Sequence, residues 1–255
     1  MKNNKQDLIV RETPAVPVLQ RDRPEFLKVN SGRGLEDINR QDLVLPRLSI
    51  CQSMTPQRKK TDLGYIDGLE EGQFFNSLTG EIYPEELRFI PVLVFKSRLY
   101  FTPMEEGGGL LCQSLDAKSG QLSPKGCDVC PHSAWQGENS PDCTLLYNYA
   151  GILLPTRELI VVSLKTSGIK TAKQWNSIMR LKQVDSFAGI YRLSTSLQKN
   201  NAGEWYTLQV KPTAWVDEDT FKFCSELFAT LRQTGVKFDT EGISQPETEG
   251  EVIPF

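Results

Sequence analysis

The sequence predicts a mainly β fold with two helices, because strand-like segments hold most of its apolar residues. These segments are rich in Val, Ile, Leu, Phe and Tyr, and stretches containing Gly, Pro and Asn separate them. They cover residues 43–52, 72–83, 87–101, 144–154, 158–167, 187–198 and 204–216. Apolar residues recur at intervals of three and four in residues 168–184 and again in 217–235, which predicts a helix in each.

The elements follow one another with clear boundaries. LVLPRLSICQ is a short apolar run interrupted by Pro46, and GQFFNSLTGEIY predicts two short strands about a turn at residues 78–80. LRFIPVLVFKSRLYF predicts one long bent strand or a pair of strands. The last two strands form a predicted hairpin around KNNAG, and the second helix begins at its N-cap Asp217 and ends at Gly235.

Several strands, a helix and two further strands are the chain order of an OB-type barrel, an order that mixed α+β folds share. Residues 1–40 predict a flexible N-terminal arm, 41–235 the barrel with an insertion at about 103–143, and 236–255 a disordered acidic tail. The tail contains one lysine against five acids, so the rest of the chain, with a total of −3, is close to neutral.

Composition narrows the class of protein. No apolar run reaches the roughly 18 residues of a membrane helix, and the N-terminus lacks the pattern of a signal peptide, so we expect a soluble intracellular protein. The single histidine, His132, leaves no spare imidazole for a nucleophilic triad, and no phosphate-binding glycine loop is present. These features favour a binding protein over an enzyme.

Four of the six cysteines form a local cluster with the spacing C-x14-C-x2-C-x12-C. They are Cys112, Cys127, Cys130 and Cys143. Four thiolates around a tight C-x-x-C turn are typical of a closed structural zinc site, and the metal would supply the folding free energy of a segment without its own core. An iron–sulfur cluster and a set of secreted disulfides are the alternatives.

Rings and cations alternate along the predicted strands, as a sequence-tolerant single-strand binder requires for base stacking and phosphate neutralisation. Lys96, Arg98 and Tyr100 share one strand face, with Phe95, Leu99 and Phe101 on the opposite, core-facing side. The full candidate set is Lys96, Arg98, Tyr100, Tyr147, Tyr149, Lys165, Tyr191, Arg192, Trp205, Tyr206 and Lys211.

The running order of LVLPRLSICQ, GQFFNSLTGEIY, LRFIPVLVFKSRLYF, a glycine-rich approach to CDVCP, KTSGIKTAKQWNSIM and FAGIYRLSTS resembles that of tailed-bacteriophage single-stranded-DNA-binding proteins. The resemblance covers residues 40 to 235 approximately. It implies an OB barrel with a zinc-stabilised insertion and a role in phage DNA replication, recombination or repair in the cytoplasm of a bacterial host.

The last residues carry a second resemblance. Bacterial single-stranded-DNA-binding proteins end in acids followed by Ile-Pro-Phe, and this chain ends in Glu249, Glu251, Ile253, Pro254 and Phe255, with Val252 where an acid is usual. This implies that the tip binds replication or recombination proteins. The leading hypothesis is therefore non-catalytic single-stranded DNA binding. A zinc-containing adaptor without significant DNA binding is the main alternative, and a metal-dependent nuclease is the third.

Overall fold

The computed structural model describes residues 34–38, 42–103, 108–137, 139–201 and 203–240. This part of the chain contains eight strands and two α-helices. The strands are β1 (Arg47–Ile50), β2 (Phe74–Asn76), β3 (Leu87–Phe101), β4 (Leu110–Ser114), β5 (Thr144–Leu154), β6 (Glu158–Leu164), β7 (Gly189–Asn200) and β8 (Gly203–Trp215). The helices are α1 (Ile169–Leu181) and α2 (Glu218–Thr234).

All eight strands belong to one sheet in the order β2-β1-β6-β5-β3-β7-β8, with β4 added beside the end of β3. β1 and β6 run parallel, and every other pair is antiparallel. β3 is the organising strand, since it pairs with β5 along most of its length, with β7 at its start and with β4 at its end.

A β-bulge bends β3 near its middle. The register with β5 shifts between Pro91 and Leu93, so one extra residue is accommodated there. Proline has no N–H to give to a ladder, which makes Pro91 compatible with a bulge rather than a regular position. Across from it, a Cβ on Gly151 would lie 2.1 Å from the carbonyl oxygen of Ile90, so the close approach requires glycine.

Side-chain hydrogen bonds join the β7–β8 hairpin to the residues next to β1 and β2. The amide of Gln52, just after β1, donates to the carbonyl of Tyr206 and accepts from its N–H, both at 2.8 Å. Close by, the Thr195 hydroxyl donates to the Gly72 carbonyl at 2.8 Å. These bonds satisfy backbone groups on the edge strand β8 and curl the sheet toward a barrel.

Each face of the sheet carries its own core. On the inner face Trp175 of α1 is 1% exposed, stacks on Tyr149 with ring centroids 4.0 Å apart, and meets Phe89 and Tyr191 edge-on. On the outer face α2 packs over β3 and β5, where Phe187 contacts the Phe221 ring. The predicted mainly β, barrel-like fold with a helix between strands and a C-terminal helix is confirmed.

The predicted ends of α2 are also confirmed. The Asp217 carboxylate accepts from the Thr220 N–H at 2.8 Å, which lowers the pKa of Asp217, and Gly235 stops the helix with a φ of +73°. The ordered body extends further than predicted, however. Val236 and Phe238 are buried, and Leu45 exchanges backbone hydrogen bonds with Lys237 and Asp239. The boundary predicted at residue 236 is therefore wrong by several residues, and residues 241–255 lie outside the described part of the chain.

The segment 102–142, expected to lack strands, contributes β4 to the sheet. Within the described residues, neither helix is both long enough and apolar enough to cross a membrane. The predicted N-terminal arm, 1–40, lies almost entirely outside the described residues.

Candidate metal centre and nucleic-acid face

The four clustered cysteines meet at the end of β3. Cys112 lies on β4 opposite Tyr100, Cys143 immediately precedes β5, and Cys127 and Cys130 lie in the loop between β4 and β5. All four line a single cavity of about 10 Å³. That is about the space of one water-sized sphere. None of the four forms a disulfide.

Backbone hydrogen bonds hold the cysteine loop in place. The Cys127 N–H donates to the Lys118 carbonyl at 2.7 Å, and the Cys143 N–H donates to the His132 carbonyl at 2.9 Å. The Ser133 hydroxyl donates to the Cys130 carbonyl at 2.9 Å and also bonds the Cys127 carbonyl. The C-x-x-C turn is thus tied at both ends, as a site built from two thiols of one turn requires.

Glycine keeps the sulfurs close to one another. A Cβ added to Gly120 would lie 3.1 Å from Sγ of Cys127 and 3.6 Å from Sγ of Cys112. Before this glycine, the Asp116 carboxylate accepts the N–H groups of Lys118 and Ser119, each at 2.8 Å, and these bonds lower the pKa of Asp116. The turn that presents Gly120 is therefore fixed by a charged acceptor.

The side chain of Arg98 lines the cavity and places a positive charge beside the four cysteines. Burial raises the pKa of the Cys143 thiol to about 11, the Arg98 charge opposes that rise, and neighbouring Cys112 and Cys127 add to it. Nε of Arg98 is buried without a hydrogen-bond partner among the described residues. A guanidinium beside four sulfur atoms suits a site that becomes anionic when the thiols ionise.

The four sulfur donors match the ligands of a tetrahedral zinc site in number and type. As the side chains are placed, no group of three or more His, Cys, Asp or Glu residues in the described ranges stands ready to hold a metal ion. The two remaining cysteines lie elsewhere: Cys51 and Cys224 are fully buried in apolar clusters, and burial raises the pKa of both thiols.

His132 lines the same cavity, and its ring is engaged by two neighbours. It stacks on Tyr100 with centroids 4.8 Å apart, and its Nδ1 lies 2.9 Å from Oδ2 of Asp142. The histidine therefore links the cysteine loop to β3.

The predicted alternation along β3 holds. Leu99 is buried in the outer core and Phe95 and Phe101 pack against it, which places Lys96, Arg98 and Tyr100 on the inner face. Lys96 is exposed, and its Nζ lies 4.9 Å from the ring centroid of Tyr147, directly opposite on β5. Tyr147 itself is only 8% exposed and belongs to the inner core, so its ring is not the open stacking surface that the sequence predicted. A cation over a ring is stabilised by the ring quadrupole. This row runs from the exposed Lys96 to the cysteine cavity, which Arg98 and Tyr100 line.

Tyr149 and Tyr191 require a correction. Both rings are essentially unexposed and pack against Trp175 in the inner core. The Tyr149 hydroxyl donates to the Ala172 carbonyl at 3.1 Å, and burial raises the pKa of the phenol. Both residues lie on the inner face of the sheet, but α1 covers that part of the face, so neither ring can stack on a base.

The other candidates fall in different places. Lys165 follows β6 at the end of the sheet where Tyr147 pairs with Leu164. Arg192 and Lys211 stand opposite each other on β7 and β8. Trp205 and Tyr206 are partly exposed near the turn of that hairpin, remote from the cysteine cavity.

Two features escaped the analysis of the sequence. Arg88 is exposed and pairs directly with Arg192, a neighbour that only the pairing of β3 with β7 reveals. Lys182, after α1, places Nζ 4.8 Å from the Tyr191 ring and 4.6 Å from the exposed Trp215 ring. The tail residues predicted to bind partners, Glu249, Glu251, Ile253, Pro254 and Phe255, lie outside the described residues.

Comparison with known proteins identifies the family. The model of the Pam3 phage gp34-like protein family matches residues 16–237. Comparisons with curated proteins and with solved structures gave no match. Because the family match spans most of the 255 residues, including all strands and helices of the described residues, the chain belongs to the Pam3 phage gp34-like family.

Proposed function

We propose that this protein binds single-stranded DNA without catalysis and largely without regard to sequence, in phage DNA replication, recombination or repair. The observation that carries the proposal is the row of Lys96, Arg98 and Tyr100 on the inner face of β3, where the exposed Lys96 lies over the ring of the largely buried Tyr147. Cations of this kind neutralise phosphates, and rings stack on bases of any sequence. Membership of a phage family is consistent with the role.

We further propose that Cys112, Cys127, Cys130 and Cys143 hold a structural zinc ion. The ion would tie the loop after β4 to the end of β3, next to the residues assigned to DNA. The support for zinc is the donor set, since four cysteines around a C-x-x-C turn are typical of a closed structural zinc site. Four thiolates saturate a tetrahedral zinc, so the site would organise structure and leave no open position for hydrolysis.

The tail completes the proposal. Phe255 and Ile253 would fill an apolar pocket of a replication or recombination protein. Pro254 limits the backbone freedom lost on docking. Glu249 and Glu251 would add charge complementarity to a basic rim.

The test of DNA binding is a titration of tryptophan fluorescence with oligo-dT at several salt concentrations. Each phosphate contact contributes about 0.7 to the slope of log affinity against log salt for single strands. Lys96→Gln should therefore weaken binding and reduce the slope by about 0.7. Lys222→Gln on α2 is the matched control, because that lysine pairs with Glu218 on the exposed side of the helix. Wild-type protein that shows no salt-dependent binding would refute the proposal.

An adaptor role is the second candidate, and one observation favours it. The segment formed by β4 and the loop that follows it also exposes large apolar side chains, which are common in protein interfaces. They are Leu110, Leu111, Leu115, Leu122, Val129 and Trp135. If the protein is an adaptor, Trp135→Ala should abolish partner binding in calorimetry, while the wild type shows negligible affinity for oligo-dT.

A further inference from the structure

The outer face of the β7–β8 hairpin forms a continuous polar track. Tyr191, Leu193 and Leu208 belong to the inner core, so the alternate residues of both strands point outward. These residues pair across the hairpin as Arg192 with Lys211, Ser194 with Gln209, Ser196 with Thr207, and Gln198 with Trp205. None of these eight is acidic, and Trp205 is the sole large apolar side chain among them.

The cationic end of the track is wider than the hairpin. Arg88 of β3 is the direct partner of Arg192, which is the direct partner of Lys211, so three cations stand in a row across three adjacent strands. Like charges at directly opposed positions destabilise a sheet. Among the described residues, one acid forms an ion pair with this row: the carboxylate of Glu86 lies 3.3 Å from the guanidinium of Arg192. Arg88 and Lys211 make no ion pair within the described ranges, so the row keeps a net positive charge.

The middle of the track consists of neutral side chains that hydrogen-bond to one another. The Ser196 hydroxyl accepts from Gln209 and from Gln198, each at 3.0 Å, and lies 3.4 Å from the Thr207 hydroxyl. Hydroxyl and amide groups of this kind are frequent contacts of phosphate and sugar. The track ends at the partly exposed Trp205 ring, about 20 Å from Lys211 along the strand.

We infer that this track is a second binding segment for the same single strand. Phosphates would contact Arg88, Arg192 and Lys211, and a base would stack on Trp205. The inference rests on the proposed function, because it extends the path of the DNA. Lys96 lies about 25 Å further along β3 and on the opposite face, so one strand reaches both segments only by passing around the sheet.

Oligonucleotide length separates the two segments. A dT oligomer of about 6 nucleotides is within the range of one OB-type site, whereas one of about 20 nucleotides exceeds it. The double variant Arg88→Gln/Lys211→Gln should leave affinity for the short oligomer unchanged. It should weaken binding of the long oligomer and reduce the slope of log affinity against log salt by about 1.4, because two phosphate contacts are lost. Lys96→Gln should weaken both, and Lys222→Gln should weaken neither.

Three other outcomes would refute either the second segment or the proposed function. A double variant that matches the wild type on the long oligomer, while Lys96→Gln is impaired, overturns the second segment and leaves the proposed function standing. Equal loss on both lengths also overturns it, because it indicates a general charge effect. Wild-type protein that binds neither oligomer refutes the proposed function itself. Circular dichroism of the double variant controls for folding, since both substituted side chains are at the surface.

Discussion

Replacement of Cys127 by serine is the sharpest test of the proposed zinc site. Cys127 is 6% exposed and stands at the C-x-x-C turn. Structural zinc contributes about 10–16 kcal/mol in small domains, so one of four thiolates accounts for about 3 kcal/mol. Serine offers a hydroxyl that ionises far less readily than a thiol. Cys127→Ser should therefore reduce zinc affinity by roughly 100-fold or more.

The same structure predicts which part of the protein unfolds. The described residues between β4 and β5 bury few side chains apart from Cys127 and Cys143, whereas β3 and β5 are packed into both cores. Loss of metal should unfold the loop and leave the barrel folded. Trypsin should then cut at Lys118 and Lys125, which the metal-bound form protects.

Metal analysis by mass spectrometry, with limited trypsin digestion, measures both effects. The matched control is Cys224→Ser, because Cys224 is fully buried on the core side of α2 and lies outside the cysteine cavity. It should retain one zinc per chain at some cost in stability. Wild-type protein purified without zinc and unable to bind added zinc would refute the assignment, as would a Cys127→Ser variant that keeps the metal.

The remaining predictions concern packing and the tail. Trp175→Ala should cost about 3–5 kcal/mol in urea unfolding, because its ring fills the inner core under α1. Gln52→Ala should cost about 2 kcal/mol, since two hydrogen bonds to Tyr206 are lost, and hydrogen exchange of the Tyr206 amide should accelerate. Phe238→Ala should lower the free energy of unfolding by about 3 kcal/mol, because its ring is buried. A lower urea midpoint with a single cooperative transition would show that residues after α2 belong to the folded body, and an unchanged midpoint would contradict this. Deletion of Phe255 should abolish partner capture in pull-downs and leave oligo-dT affinity unchanged, and loss of DNA binding instead would count against the tail proposal.

Local patterns predicted much of the fold. The helix at 168–184 was recognisable because its apolar residues recur on one side, and that side packs on the inner core through Ala172 and Trp175. The caps of α2 followed from side-chain chemistry at Asp217 and Gly235. The cysteine spacing likewise predicted one cluster, and the four side chains do line one cavity.

Long-range packing accounts for the errors. Period-two alternation says which side of a strand a residue occupies, but not whether a distant helix covers that side, so Tyr149 and Tyr191 looked available when α1 buries them. The polar composition after Gly235 suggested a tail, yet Phe238 gains a pocket beside Phe95, with ring centroids 6.0 Å apart. Such contacts depend on residues far away in the chain.

The β3 bulge explains why the two cationic segments could not be separated from sequence. Arg88 and Lys96 have the same parity, and a regular strand would place both on one face. The extra residue between Pro91 and Leu93 reverses the alternation, so Arg88 joins the outer face and Lys96 the inner one. The reversal depends on Gly151, whose missing Cβ admits the Ile90 carbonyl. One proline and one glycine on neighbouring strands therefore give a single strand, β3, a cationic end on each side of the sheet.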